Sequence, residues 1–358
     1  MIKKIHVFAS FGNWHKTAGG GGQTSARRLV KLLEEIGYVV QTINRTMSPY
    51  KVLGFIVDPF RFLFHLLLKR RECAIVIVIG YASKLIPYYF LFVHIGHLLG
   101  YKTFFYVKGG FTESKYLSFP RWLQNCFKKG LEDTTIALYE GEEGANLSTI
   151  IQPETKAVWL PNFVENSFAV IPFPVKTKNR FNLLYFGRIH PNKNVILIVD
   201  IFDMLCKSFP NIDLTIVGSG ETKYEKELNK RIEISSQNEH IYRIPRIAHD
   251  KLRDILVNHH IFIFPSIENQ EGHSNSLNEA MSFGLVPVVS NNNFLPSIVG
   301  NRRLVANDLD AISFVNIITE IIESGDFESL SREMYERVKQ NFTQNVVEKK
   351  LQEAIQSI

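Results

Sequence analysis

The sequence predicts an α/β protein made of two doubly wound domains, each with a parallel sheet. Three observations carry this expectation. Short apolar runs of strand length alternate with stretches of helical period along the chain, the pattern of repeated strand–helix–strand units. The 358 residues exceed one typical domain. Near the middle, residues 166–180 hold two prolines, mixed polar residues and no periodicity, and read as a linker.

In the first half, residues 5–9 read as a strand. The loop after it passes Gly12 and reaches four successive glycines, Gly19, Gly20, Gly21 and Gly22, before Gln23-Thr24-Ser25. From Ser25 the pattern turns helical, with Leu29, Val30, Leu32, Leu33 and Ile36 on one side and Gly37 at the end. A glycine-rich turn lets backbone approach a ligand, and it also suits a flexible connection. Its spacing matches neither the dinucleotide fingerprint nor a Walker loop, so a nicotinamide enzyme is disfavoured. Strands follow at 39–44, 74–79, 102–107, 134–139 and 158–162.

Two apolar stretches, 53–68 and 85–99, lie between those strands. The first carries Phe55, Phe60, Phe62 and Phe64, is interrupted by Asp58-Pro59, and is followed by Lys69-Arg70-Arg71. Neither reaches about 18 uninterrupted apolar residues, so both read as helices on the sheet and not as membrane spans. A second reading has one of them displaying aromatics beside the basic cluster, to meet an anionic leaflet. Lys108-Gly109-Gly110 ends a strand, and Lys115, Arg121, Lys128 and Lys129 surround Trp122. Those cations form either a receiving surface for a phosphate-linked or lipid-linked acceptor or a solvated helix face.

The second half starts with strand 182–186, then Gly187-Arg188, four residues and Lys193. An amphipathic helix (195–205) leads to strand 213–217 and the turn Gly218-Ser219-Gly220-Glu221. A charged helix (224–237), a strand (241–247) and a short helix (249–257) precede the apolar run 260–264. A polar loop then carries Glu271 and Gly272, a helix runs from Asn275 to a stop at Gly284, and 285–289 is the next strand. The start of that helix, Asn275-Ser276-Leu277, faces the carboxyl edge of the sheet, where free N–H groups and the helix dipole favour an anion. Two acids flank it, Glu271 before the helix and Glu279 within it. Glu279 also fits a capping box with Ser276, and Glu271 also fits a solvated loop. A helix over 309–322 and a final helix over 345–358 close the chain.

The composition is 45% hydrophobic and 21% charged, an ordinary globular balance. Cys73, Cys126 and Cys206 are widely spaced, which predicts free thiols in a reducing compartment and no metal knot. No signal peptide is visible at the N-terminus. Residues 1–130 hold 19 Lys+Arg against 5 Asp+Glu, a net of +14, while the whole chain carries +6. Such asymmetry fits an anionic partner (membrane lipid, nucleic acid or a phosphorylated substrate) or a solubilising surface.

Taken together, strand, acid, glycine, helix start, second acid and glycine stop resemble the signature of retaining glycosyltransferases of family 4, the glycosyl transferases group 1. Pro265, Ser266, Glu271, Gly272, Glu279, Ala280, Met281, Gly284, Pro287, Val288 and Val289 match it in order. Asn278 stands where leucine is common, His273 where an aromatic is frequent, and Lys108 where the family often has a His-Gly loop. The run 161–165 resembles the family's Pro-Asn-Gly-Val-Asp turn, with Phe163 for glycine.

The resemblance implies a GT-B fold of two Rossmann-like domains facing a cleft: 1–170 on the acceptor side, rejoined by a helix over about 343–358, and 171–342 on the nucleotide-sugar side. It implies retaining transfer of a sugar from a nucleotide-diphospho-sugar to a saccharide or polyprenyl-diphosphate-linked acceptor, as in surface polysaccharide assembly of the capsule or O-antigen type. Arg188 and Lys193, after Gly187, would hold the diphosphate, with Gly218 and Gly220 turning close to it. Glu271 would lie against the donor sugar, wrapped by Gly272, His273 and Ser274. Glu279 would bind the ribose, and Gly20 and Gly21 would face donor and acceptor. No acidic pair stands at a strand end to hold Mg²⁺, so neither metal nor cofactor is expected. The expected location is cytoplasmic, peripheral on the inner face of the membrane.

Three rivals stand beside this reading. One is a catalytically silent GT-B binding protein, against which the intact pairs Arg188/Lys193 and Glu271/Glu279 speak. Another is a GT-B epimerase or phosphorylase. The third, a nucleic-acid binder, lacks any helix-turn-helix, finger or RNP pattern.

Overall fold

The computed structural model describes residues 4–12, 21–46, 51–69, 75–81, 83–169, 172–176, 180–267 and 271–358. The chain divides into two compact units, Met1–Asn162 with Val347–Ile358, and Phe163–Val346.

In the first unit the strands are β1 (Lys4–Ala9), β2 (Val39–Asn44), β3 (Ile75–Tyr81), β4 (Lys102–Lys108), β5 (Ile136–Tyr139) and β6 (Lys156–Trp159). They pair in parallel in the order β2-β1-β3-β4-β5-β6. Between them run α1 (Gly21–Glu35), α2 (Lys51–Lys69), α3 (Ile86–Leu98), α4 (Glu113–Leu117), α5 (Arg121–Glu132) and α6 (Glu142–Ile151). The Ile-Val-Ile-Val-Ile run of β3 is buried throughout, as a central parallel strand covered on both faces requires. One core joins Phe62 and Leu66 of α2, Phe92 and Val93 of α3 and Phe127 of α5 to Phe8, Val78 and Phe105 of the sheet.

The second unit has β7 (Asn182–Phe186), β8 (Asp213–Val217), β9 (Ile241–Ile244), β10 (Ile261–Phe264), β11 (Val286–Ser290) and β12 (Val305–Ala306). These also pair in parallel, in the order β12-β11-β10-β7-β8-β9. The helices are α7 (Val195–Leu205), α8 (Thr222–Glu233), α9 (Leu252–Val257), α10 (Asn275–Ser282), α11 (Leu295–Val299), α12 (Ala311–Glu323) and α13 (Phe327–Asn341). The last helix, α14 (Gln344–Gln356), begins in this unit, and its residues from Val347 onward group with the first.

The apolar stretch 53–68, read as a helix on the sheet, lies within one helix, α2, and Asp58-Pro59 falls inside it. Asp58 is turned inward, where its carboxylate accepts from Thr46 N (3.0 Å), Thr46 Oγ1 (2.5 Å) and Tyr88 Oη (2.9 Å). That anchor and the buried Phe62 and Leu66 hold the helix through a residue that cannot donate its own hydrogen bond. Helices α6 and α13 go beyond the sequence reading. Among the described residues Cys126 and Cys206 are free thiols, and Cys73 lies outside them. Among the described residues no helix is long and apolar enough to cross a membrane.

Candidate active site

In a parallel sheet all carboxyl ends lie along one edge, and ligands settle where the strand order reverses direction. In the second unit that reversal falls between β7 and β10, which are neighbours in the sheet although β8 and β9 intervene in sequence. The loops leaving β7 and β10 therefore diverge from a common point. They carry the two catalytic-type clusters that the sequence singled out.

From β7 the chain passes Gly187 and Arg188 into a short 3₁₀ turn, Pro191–Lys193. His190 caps that turn through its Nδ1, which accepts from Asn192 N (3.1 Å). The turn delivers Lys193 inward, and its ammonium is paired with the Glu271 carboxylate. Ser266, fully buried just beyond β10, donates to the same Glu271 Oε2 at 2.6 Å. Lys193 Nζ is 3.5 Å from the Ser266 hydroxyl. The Ser266 carbonyl is gripped by Ser290 Oγ (2.6 Å) at the end of β11 and by Asn292 Nδ2 (3.1 Å). Ile267 N donates to the Asn192 carbonyl (2.8 Å), stitching the two loops together. The structure thus brings Lys193 and Glu271 into direct contact through residues that sequence reasoning gave no role. Ser266 matched the motif but was assigned no function, and Asn192 acts through its backbone, which leaves no mark in the sequence.

Tyr185 sits beneath this cluster, fully buried, with its hydroxyl donated to the Arg188 carbonyl (2.8 Å). Burial first, and the Glu271 carboxylate second, push this phenol well above its ordinary range, while Arg188 and Arg243 pull the other way. Glu271 and Arg188 therefore act on one common side chain. The Arg188 side chain itself is exposed at the same edge. Arg243, on β9, reaches the carbonyls of Ile216 (3.0 Å) and Gly218 (3.2 Å). Its position in an otherwise apolar strand was the signal that could have found it.

The two glycine turns lie against each other. A Cβ on Gly218 would stand 1.9 Å from the Gly187 carbonyl oxygen, and one on Gly220 would stand 1.6 Å from that of Ile189. Ile189 and Gly220 form a parallel bridge, and Ile189 N donates to the Ser219 carbonyl (3.1 Å). The close approach these glycines permit is that of one loop's backbone to the other's.

Helix α10 is capped by Ser274, whose Oγ accepts from Leu277 N at 3.3 Å. The capping box of Ser276 with Glu279 does not form: Ser276 stands within the first turn, and its hydroxyl meets Ser274 Oγ (3.1 Å). The buried Glu279 carboxylate instead meets His249 Nε2 at 3.1 Å, and His249 stacks on Phe168 with ring centroids 4.1 Å apart. Leu277 contributes a buried side chain and gives its N–H to the cap, whereas Asn275 and Ser276 present the first-turn amides at the helix tip. His273 is buried, its Nε2 3.0 Å from Asn278 Oδ1 and its ring edge-on to Phe342. That contact occupies the two positions where this chain departs from the common motif. Glu271 and Glu279 are thus held by separate partners on either side of the helix start, with Gly272 between Glu271 and His273.

Of the remaining candidates, Gly20 lies outside the described residues, and Gly21 opens α1 of the first unit. In that unit Lys108 is fully buried: its ammonium pairs with Glu140 Oε1 (2.8 Å), reaches Ser25 Oγ and Asn162 Oδ1 (3.2 Å), and lies 3.8 Å from the Tyr106 ring centroid. Among the described residues no three His, Cys, Asp or Glu side chains are grouped to hold a metal ion.

This two-sheet architecture is that of GT-B proteins. Over 99% of the chain it superposes on 98% of a sucrose-phosphate synthase from Thermosynechococcus elongatus with a TM-score of 0.75 and 15% identity. Over its whole length it superposes on all of the Anabaena protein HepE in complex with UDP, with a TM-score of 0.74 and 12% identity. At these identities the likeness shows the fold. The particular family comes from the sequence of the second unit: residues 169–344 match the model of glycosyl transferases group 1, and that segment belongs to this family.

Curated relatives agree. The phosphatidylinositol N-acetylglucosaminyltransferase gpi3 subunit of Schizosaccharomyces pombe is 24% identical over 208 residues, 56% of this chain and 43% of that protein. The O-antigen chain mannosyltransferase B of Escherichia coli is 30% identical over 133 residues, 36% of this chain and 34% of that protein. The match spans less than half of each of these relatives' own length.

Proposed function

We propose that this chain is a retaining, metal-independent glycosyltransferase that moves a sugar from a nucleotide-diphospho-sugar to a lipid-linked or saccharide acceptor. The observation that carries the reading is the Lys193–Glu271–Ser266 cluster at the reversal of the second sheet, inside a group 1 glycosyltransferase segment. A donor's diphosphate leaving group gathers negative charge as the glycosidic bond breaks, and fixed cations stabilise that charge. Arg188, with its planar fork, and Lys193, a point charge, suit the task, and the α10 tip adds its dipole. Lys193 is held by Glu271, so an arriving diphosphate would take over the ammonium and leave Glu271 to accept hydrogen bonds from the sugar hydroxyls. Glu279 would do the same for the ribose. In the transfer the C1–O bond to phosphate breaks with its electron pair on the departing oxygen. The acceptor oxygen bonds to C1 from the same face and gives its proton to that departing phosphate.

Two solved GT-B neighbours support the donor class: one is in complex with UDP and another is bound with UDP-2-fluoro glucose. The acceptor class draws on relatives named for phosphatidylinositol and O-antigen chains and on the basic first half of the sequence. Transfer in a surface polysaccharide pathway, at the inner face of the membrane, fits both.

The test is a substitution series assayed with a panel of nucleotide sugars. Arg188→Ala, Lys193→Ala and Glu271→Ala are each expected to lower kcat/KM by roughly two orders of magnitude or more while the melting temperature holds. Ser266→Ala removes one hydrogen bond to a carboxylate and is expected to cost about tenfold. EDTA is expected to leave the rate unchanged. Normal transfer by the Glu271 and Lys193 variants would remove the reading.

A further inference from the structure

We propose that the outward face of α2 docks the first unit on an anionic lipid leaflet. The purpose of such docking rests on the lipid-linked acceptor read above, whereas the surface itself stands on its own observations. Helix α2 has two apolar faces. Its inner face, Gly54, Asp58, Phe62 and Leu66 in four-residue steps, is buried. Its outer face, Leu53, Ile56, Phe60, Phe64 and Leu67 in steps of three and four, is open to solvent, with Phe60 69% and Phe64 64% exposed. A helix packed on a sheet ordinarily turns its polar side to water. Here the polarity is inverted: the helix's single acid, Asp58, points into the protein, held by Thr46 and Tyr88. Arg61, half exposed and paired with Asp58 at 3.1 Å, flanks the apolar ridge.

Neighbouring helices extend the same surface. Helices α2, α3, α5 and α6 all contribute to the core on one face of the sheet, and α3 packs against both α2 and α5. On α3, Leu91 and Leu98 are exposed. On α5, Trp122 is 61% exposed, next to the exposed Arg121 and on the same helix as the exposed Lys128 and Lys129. Residues 51–132 hold 12 Lys+Arg against 4 Asp+Glu, and of these cations Lys108 is buried and paired with Glu140.

An apolar ridge bordered by cations matches a leaflet that offers hydrocarbon behind negative headgroups. A second copy of this chain on a two-fold axis would instead set Arg61 and its neighbours against their own counterparts. Charge complementarity therefore selects the lipid.

The experiment is co-sedimentation of the full chain with vesicles of phosphatidylcholine alone and with about one third phosphatidylglycerol, with neither donor nor acceptor present. Binding is expected to need the anionic lipid, to weaken as salt rises through the range where the screening length falls below about 10 Å, and to drop about tenfold or more in Phe60→Ser/Phe64→Ser. That variant is expected to keep its melting temperature and its transfer rate to a detergent-dispersed acceptor. Equal binding by the variant, no binding by the wild type, or a dimer in sedimentation velocity that the variant dissolves would each overturn the proposal. A wild type that transfers sugar yet binds no vesicles counts against docking alone. Glu271→Ala that binds vesicles yet transfers no sugar keeps the two readings separate.

Discussion

The Lys176 ammonium reaches the carbonyls of Leu256 (2.6 Å) and Val257 (2.8 Å), the last turn of α9. It caps a helix end whose carbonyls lack intrahelical partners, but it does so where water is scarce, and burial pulls its pKa down from 10.5 to about 7. The unfolded chain keeps the ordinary value, so between pH about 7 and 10 the unfolded state binds the extra proton. Stability is then lowest below about pH 7, where the folded state must carry the buried charge, and rises across that window because the proton given up on folding costs less to release as pH rises. His259, also buried, is lowered by burial first and by Lys176 among smaller causes, and titrates below the window. Lys176→Met is expected to flatten the slope, so that urea unfolding of wild type and variant between pH 7 and 10 diverges by about 2–4 kcal/mol. Equal slopes would show that Lys176 stays charged throughout.

Three lysines of this chain illustrate what a sequence conveys at this scale. Lys193 was legible because it follows a strand, a glycine and an arginine at fixed spacing. Lys108 and Lys176 carry no such frame, and in the sequence they look like any surface cation. Their burial follows from contacts more than 30 residues distant, with Glu140 for one and with Leu256 and Val257 for the other. The same holds for Glu279: its carboxylate was legible as a candidate, but its partner His249 arrives from a different helix approach. Ser276 was legible as a cap, but the local turn of the chain gives that place to Ser274.

At the scale of the element, the turns after β7 and β8 behave as one device. Each supplies backbone to the other, and Gly220 permits an approach that any side chain would block. Gly220→Ala is expected to force the two loops apart, lowering stability by about 2 kcal/mol or more and displacing Arg188 with its loop. Urea denaturation and UDP titration together check this: a variant of wild-type stability and affinity would show that the loops have slack. The strands of both sheets were readable as apolar runs because parallel strands are covered on both faces. Helix α2 was legible as an apolar stretch, but nothing local shows that its Asp58 finds partners in Thr46 and Tyr88. Helix α13 had a readable period, Phe327, Leu330, Met334 and Val338, in a stretch between stronger signals. The weak pattern of α6, with Gly144, Ser148 and Thr149 inside it, gave less to read.

At the scale of the whole molecule, both sheets share one plan: six parallel strands with a single reversal, between β1 and β3 in the first and between β7 and β10 in the second. Ser10 to Gly12 follow β1, so the chain leaves the sheet there at the first reversal just as the Arg188 loop does at the second. Sheet polarity also sorts every connection by which edge it occupies. Loops that leave a strand's carboxyl end in the second unit carry Arg188, Lys193, Gly220 and Glu271. Loops that enter a strand's amino end, such as the exposed stretch 207–211 between α7 and β8, lie a strand's length away. A short flexible insertion between Pro210 and Asn211 is expected to leave UDP affinity within about twofold, whereas the same insertion between Asn192 and Lys193 abolishes it; calorimetric titration tells them apart. The amino-end edge is therefore a handle by which a fluorophore or tether can be grafted without disturbing the opposite rim.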